Sequence, residues 1–305
     1  EGFLQSPSFR PSFKVHWIWS LLGGIGCLWV MLLINPVATL VAGIIVLGIF
    51  FWLQKRELTT TWGDVRRGIW MALLRAGIYQ IESGEDTKNW RPNILVFSGS
   101  PSKRWSLIQL ANALTHKRGF ITVASVLPSG TRDLSQQKDL EDKISDRLKK
   151  QQVKALVRVV TAPDPFAGMI QLVEAYGLGS LIPNTILLGD SEDKTRRDRY
   201  CEMIQKLYYA KRSVMILREN ADQRFGLNRT IDVWWGGMQA NGSLMLLLAY
   251  MLRSTIEWRN AHISLKLVVP DEAGAEDARA NLEKMLRQLR ISATQIGRAS
   301  CRERV

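Results

Sequence analysis

Between Lys14 and Lys55 the chain lacks charge altogether: positions 15 to 54 hold no Asp, Glu, Lys or Arg. An uncharged run of that length excludes a chain that is water-soluble throughout. Cysteine is scarce as well. Of three in 305 residues, Cys27 lies in the apolar run, Cys201 in a charged segment and Cys301 near the end, a spacing that fits neither a disulfide framework nor a zinc site. His16, His116 and His262 stand too far apart in sequence for a His-rich metal cluster, so no metal ligand is assigned. Acidic groups are in deficit, 28 against 41 Lys and Arg, and the net charge is +13.

What is present divides between two solvents. Residues 57 to 295 hold 34 basic and 26 acidic groups, the density of a water-facing domain. A bilayer core of ~30 Å needs ~20 apolar residues per helix, with ~17 the lower limit. The uncharged run is therefore too long for one span and right for two. Asn35-Pro36 divides it into Trp17 to Ile34 and Val37 to Leu53, and Pro at a helix start lacks an N–H where none is needed. The pattern predicts a transmembrane hairpin in residues 1–56. Arg10 and Lys14 before it, and Lys55, Arg56, Arg66 and Arg67 after it, place both ends in the cytoplasm. Trp17, Trp19 and Trp52 fall at one interface, as an aromatic belt requires. Gly23, Gly24 and Gly26 with Ala38, Ala42 and Gly43 allow close approach of the two helices to each other or to a partner. No ionisable group lies within either span, so neither marks an ion path.

Residues 57–90 form a linker. Trp62, Val65, Ile69, Ala72, Ala76 and Tyr79 recur at alternating spacings of three and four, one face of an amphipathic helix over 62–82. That stripe is the candidate surface for dimer or linker packing. Arg66 and Arg67 at its start suit anionic headgroups.

From 91 to 295 short apolar runs alternate with charged amphipathic stretches. The runs 94–97, 121–126, 155–160, 185–189, 213–217, 230–235 and 263–269 read as strands; 103–117, 135–152, 166–176, 192–211, 243–257 and 275–290 read as helices. This is the signature of an α/β domain with a mostly parallel, doubly wound sheet. In such sheets ligands bind beyond the carboxyl ends of the strands. There, Ser98-Gly-Ser-Pro-Ser102 suits a helix cap and an anion cradle. Gly237 to Ser243 has the glycine spacing of a Walker loop without its Lys. No nucleophile, base and orienter assemble from spacing, so no catalytic residue, no cofactor and no enzyme activity are assigned. The basicity, Lys194-Thr-Arg-Arg-Asp-Arg199 included, is that of a domain facing an anionic leaflet, and nucleic acid is not expected as a partner.

The ends read as cuts. Glu1-Gly-Phe-Leu-Gln-Ser-Pro has neither an initiating Met nor a basic leader, so a signal peptide is not expected. Residues 296–305, Ile-Gly-Arg-Ala-Ser-Cys-Arg-Glu-Arg-Val, resemble a sequencing-adapter read-through and are set apart from the fold. Without them the charge is +11, since three Arg and one Glu leave.

Four blocks in order carry a resemblance. Ser6-Pro-Ser-Phe-Arg-Pro-Ser-Phe-Lys14 leads into a Gly-rich apolar helix; Asn89 to Gly99, Gly177 to Gly189 and Asp232-Val-Trp-Trp235 follow. Together they resemble the cation-chloride cotransporters, prokaryotic members in particular, of the amino acid, polyamine and organocation transporter superfamily. The resemblance implies a C-terminal fragment that holds the last two membrane helices and a cytosolic domain similar to universal stress proteins. It also implies symport of sodium, potassium and chloride by helices that precede Glu1, a homodimer, an inner-membrane location and a regulatory role for the domain. The long phosphorylatable insertions of animal members are missing, which tells against kinase control. Two alternatives stand beside this reading: a membrane-anchored nucleotide-sensing domain, and an amino acid permease of the same superfamily.

Overall fold

A computed structural model of the chain describes residues 17–55, 65–82, 91–99, 104–115, 118–128, 134–191, 194–219, 225–235, 239–267 and 294–297, with single positions 276 and 280. The chain divides into two compact units, Glu1–Glu85 and Asp86–Val305.

The first unit contains α1 (Trp17–Ile34), α2 (Pro36–Lys55) and α3 (Val65–Glu82). Only Asn35 separates α1 from α2. Its backbone N–H donates to Met31, its side-chain oxygen accepts from the Ala38 N–H at 3.1 Å, and Pro36 follows as the first helical residue. This is the N-cap with Pro at the next position that the dipeptide predicts. The Thr39 hydroxyl bonds the carbonyls of both Met31 and Asn35 at 2.9 Å and ties the two helix ends together. Beyond the turn the helices part. Gly23, Gly24, Gly26, Gly43 and Gly48 have no atom within 4 Å of the place a Cβ would take, so these small residues do not pack α1 on α2. Among the described residues no helix is long and apolar enough to cross a membrane. At 1.5 Å per residue, the 18 residues of α1 reach about 27 Å, short of the ~30 Å hydrocarbon core.

The second unit contains β1 (Asn93–Phe97), α4 (Trp105–Thr115), β2 (Phe120–Pro128), α5 (Leu134–Lys150), β3 (Leu156–Ala162), α6 (Pro165–Ala175), β4 (Thr185–Gly189), α7 (Arg197–Tyr209), β5 (Ser213–Leu217), β6 (Thr230–Trp235), α8 (Gln239–Arg253), β7 (His262–Leu267) and β8 (Thr294–Gly297). Strands β1 to β7 each lie within two residues of the apolar run that predicts them. The strands form two parallel sheets rather than one, in the orders β3-β2-β1-β4-β5 and β6-β7-β8. β8 reaches Gly297, two residues past the boundary set at 295, so Ile296 and Gly297 belong to the fold; 298–305 lie outside the described residues. So does nearly all of the helix read at 275–290.

Parallel strands in the interior must be apolar on both faces, and β1 is, with Ile94, Leu95 and Val96 fully buried. Ile94 and Val96 face α4 and α5, packing with Leu107, Ile108, Ile144 and Leu148. Leu95 and Phe97 face α6 and α7, packing with Leu172, Val173, Met203 and Leu207. α8 links the two sheets: Leu246 and Ala249 rest on Val233, Ile263 and Leu265, while Leu248 and Leu252 reach the core beneath α4. Asn184 aligns the entry of β4 with that of β1. Its side chain accepts from the Asn93 N–H at 3.0 Å and donates to the Arg91 carbonyl at 2.7 Å.

At the β3 edge the backbone of Val159 is occupied by side chains. Glu141 of α5 accepts from the Val159 N–H at 2.9 Å, and Gln137 donates to the Val159 carbonyl.

Gly119 is the tightest backbone approach. A Cβ there would lie 1.9 Å from the Pro92 carbonyl oxygen, which accepts from the Phe120 N–H at 3.2 Å. Gly119→Ala is expected to destabilise the domain by about 1–3 kcal/mol through overpacking. Gly77→Ala, in open space inside α3, is expected to raise helix stability by up to about 1 kcal/mol. Denaturant unfolding of the two variants beside the parent chain checks both signs.

Candidate functional site

A doubly wound sheet opens a crevice where neighbouring strands send their helices to opposite faces. Here that place lies between β1, followed by α4 on one face, and β4, followed by α7 on the other. A cavity of about 750 Å³ occupies it. Its floor is the carboxyl end of β1 (Phe97, Ser98, Gly99), of β4 (Leu188, Gly189, Asp190) and of β5 (Leu217, Arg218, Glu219). The amino ends of α4, α6 and α7 close over it with Arg104, Ser106, Pro165, Phe166, Arg196 and Tyr200.

The wall formed by α6 and α7 is fixed by several contacts. Asp164 caps α6 by accepting from the Ala167 N–H at 2.9 Å, and the same carboxylate pairs with Arg199 at 2.8 Å. The Arg199 guanidinium stands 5.7 Å over the Phe166 ring, whose edge meets Tyr200 at 6.2 Å. The Tyr200 hydroxyl donates to the Gly189 carbonyl at 2.9 Å. On the opposite wall the Ser106 hydroxyl donates to the Glu219 carboxylate, and Arg218 faces Asp190 at 3.5 Å. The Arg104 guanidinium lies against Gly189, where a Cβ would sit 2.8 Å from its nitrogen. Ser98 is the exception: its side chain is fully buried and its oxygen has no hydrogen-bond partner among the described residues.

Three arginines and two carboxylates line this cavity, so its charge balance is positive. Among the described residues no three His, Cys, Asp or Glu side chains stand together as a metal site needs. The arrangement suits recognition of a polar or anionic group, with apolar walls for a larger body.

The residues singled out by sequence scatter. Of Ser98 to Ser102, Ser98 and Gly99 border the cavity and 100–102 lie outside the described residues. Gln239 to Gly242 already turn within α8, so Gly242 is helical; Gly237 lies outside the described residues. From Lys194 to Arg199, Arg196 reaches the cavity while Arg199 serves Asp164. The linker stripe is elsewhere: Trp62 lies outside the described residues, Val65 opens α3, and Ile69, Ala76 and Tyr79 are exposed with Ala72 half-buried. Trp70, Met71, Leu73, Leu74 and Ile81, off that stripe, are exposed too. α3 therefore presents apolar side chains all round instead of one apolar face. Asp190 and Glu219 were not anticipated, although each closely follows a strand, which is the one signal that marks them.

Burial, and next the nearby Asp190 charge, push the Tyr200 phenol from its ordinary 10 up to about 12. Below pH 10 the phenol is protonated whether folded or unfolded. Between 10 and 12 the unfolded chain releases the proton and the folded chain holds it, so stability falls as pH rises through that window. Tyr200→Phe should lose less stability over pH 10–12 than the parent chain, while costing on the order of 1 kcal/mol at neutral pH. Chemical denaturation across that range measures both.

Residues 104–225, from the start of α4 into the β5–β6 connection, match the family model described as Solute carrier family 12. Among solved structures, the cytoplasmic domain of a prokaryotic cation chloride cotransporter is similar at 19% identity and a TM-score of 0.53, over 69% of this chain and 80% of that one. A functionally unknown protein from Pseudomonas aeruginosa matches at 12% identity and 0.42, over 69% and 75%, a likeness too slight to weigh. The former supports the α/β fold, and the family match spans the segment that builds both walls of the crevice.

Proposed function

We propose that this chain is the C-terminal part of a secondary active transporter, with a membrane-embedded segment at α1 and α2 and a cytosolic α/β domain that serves assembly and regulation. The observation that carries the reading is the family match over residues 104–225 of the sheet domain. It is supported by the surface of α1 and α2, where Leu33, Ile34 and Val37 are at least 70% exposed and no charged side chain intervenes between Lys14 and Lys55. Such a surface belongs in lipid. Spans somewhat shorter than the bilayer are accommodated by local thinning and by flanking residues that reach the interface. Both ends then face the cytoplasm of a cell or inner membrane, and the basic domain lies beneath an anionic leaflet. The carried ions are sodium, potassium and chloride, bound by membrane helices other than α1 and α2. The family match favours these over amino acids. Liposomes carrying this chain alone should show no coupled ion uptake; measurable uptake would sink the assignment of the ion sites elsewhere.

The chain associates as a homodimer in this reading, through α3 and the cytosolic domain. Exposed Ile69 and Tyr79 supply an apolar contact. Burial of an Ile is worth ~1.5–3 kcal/mol, so Ile69→Asp should weaken the dimer by roughly ten- to a hundredfold. Analytical ultracentrifugation in detergent reads the mass. A parent chain that stays monomeric at tens of micromolar would refute the dimer.

The cavity at the switch point favours one further reading, a domain that senses a nucleotide. Titration of ATP, AMP and cyclic dinucleotides should give micromolar saturation by one of them if that reading holds, and none if the domain acts through assembly alone.

A further inference from the structure

We propose that the amino end of the five-stranded sheet, opposite the crevice, is a lipid-contact surface. It rests on an anionic leaflet through Arg118, Lys154, Lys211 and Arg212, with Phe120, Tyr208 and Tyr209 among them. This surface presupposes the membrane reading above, in which α1 and α2 lie in lipid.

Parallel pairing gathers the five strand starts. Asn93 stands beside Phe120, Ile94 beside Thr185, Thr122 beside Leu156 and Thr185 beside Ser213. The residues that lead into these strands therefore share one end, which is also the end that follows the linker in sequence. That end is basic. Arg91, Arg118, Lys154 and Lys211 are exposed and Arg212 is half-buried, and none of them has a carboxylate partner among the described residues. Acidic groups there are mostly committed: Asp146 pairs with Lys149 and Glu202 with Lys206, and Glu174 is the exception. Acids gather instead at the opposite end, where Asp164, Asp190 and Glu219 stand. Helix dipoles favour cations at helix carboxyl ends, which accounts for Lys149, Lys150 and Lys206 in the last turns of α5 and α7. They do not account for Arg91 and Lys154, which precede strands.

Apolar side chains stand among these charges. Phe120 is 54% exposed although it opens an inner strand, and Leu178, Tyr208 and Tyr209 are 63%, 73% and 78% exposed. The rings of Tyr208 and Tyr209 meet edge to face at 6.0 Å. Single exposed apolar residues are ordinary; four at one end of one sheet, inside a basic set, have the composition of an interfacial surface. Tyr suits such a place because its ring is apolar and its hydroxyl stays wet. Lys211 adds a handle for the test. It follows α7 in the left-handed region at φ 57°, with the Arg212 N–H returned to the Leu207 carbonyl at 3.2 Å. Gly is favoured at such a position, so Lys211→Gly removes a charge and relieves the backbone at once.

The test is hydroxyl-radical footprinting of the full chain in nanodiscs of phosphatidylcholine, alone or mixed with phosphatidylserine. Labelling of Phe120, Tyr208 and Tyr209 should fall severalfold when phosphatidylserine is present and return at high salt, which screens the charges. Phe166, at the crevice, should label alike in every disc. Each basic residue near an anionic surface contributes about fivefold to partition, so Lys211→Gly combined with Arg118→Gln and Lys154→Gln should restore labelling to the phosphatidylcholine level. Lys211→Gly should melt no lower than the parent. Arg118→Gln with Lys154→Gln should give the same direction of change without touching the helix end. Equal labelling in both discs, protection indifferent to salt, or full protection of the triple variant would each overturn the proposal. Protection that needs two chains per disc and ignores lipid charge would also overturn it, since a second copy would then cover the surface. A chain that fails to enter the discs overturns the membrane reading and this surface together. A chain that enters them with these residues labelled alike overturns this surface alone.

Discussion

Two parallel strands cannot be joined by a tight turn, because the chain must return to the starting end before the next strand begins. Every connection between paired neighbours in this domain is therefore a crossover, and each helical crossover covers part of a sheet face. That requirement buries β1 on both sides and brings five strands into register with their carboxyl ends together. Chain order then does the rest. β2 and β3 are added on one side of β1, and β4 and β5 on the other. The helices must change faces at that point, and the backbone cannot fill the gap between α4 and α7.

Electrostatics in this gap follows from the same geometry. Residues immediately after strands converge, so Ser98, Asp190 and Glu219 meet although they are far apart in sequence. Helix amino ends converge with them, and partial positive charge gathers where Arg104 and Arg196 also lie. Asp190 and Glu219 offset some of that charge without saturating every donor. The Tyr200 phenol, held protonated by its burial and by Asp190, remains a donor to Gly189 and keeps α7 against the end of β4.

Much of this fold was legible because its signals are local. Apolar runs such as Ile94 to Phe97 and Thr185 to Gly189 are strands wherever they fall, and Asn35-Pro36 caps a helix through atoms three residues apart. What was not legible depends on distant partners. The glycines of α1 and α2 suggest close packing only if another helix is present to fill the space. The stripe on α3 is periodic in sequence, but its neighbours Trp70, Leu73 and Leu74 are as exposed as the stripe itself, and spacing alone does not weigh one face against the other. The division into two sheets was hidden for the same reason: strand order is a property of pairing, not of composition. Ser98 stood out as a loop residue, while its burial without a partner emerges only from the packing around it.

The edge of β3 has a meaning beyond the single domain. A strand edge with free amide groups is a template on which another chain can lay its own strand, and crowded, partly folded chains exploit such templates to aggregate. Gln137 and Glu141 occupy the backbone of Val159 with side chains from the helix that precedes it. Since α5 is synthesised before β3, the guard emerges from the ribosome ahead of the edge it protects. Strand exchange on that side is thus opposed at Val159 as soon as β3 docks.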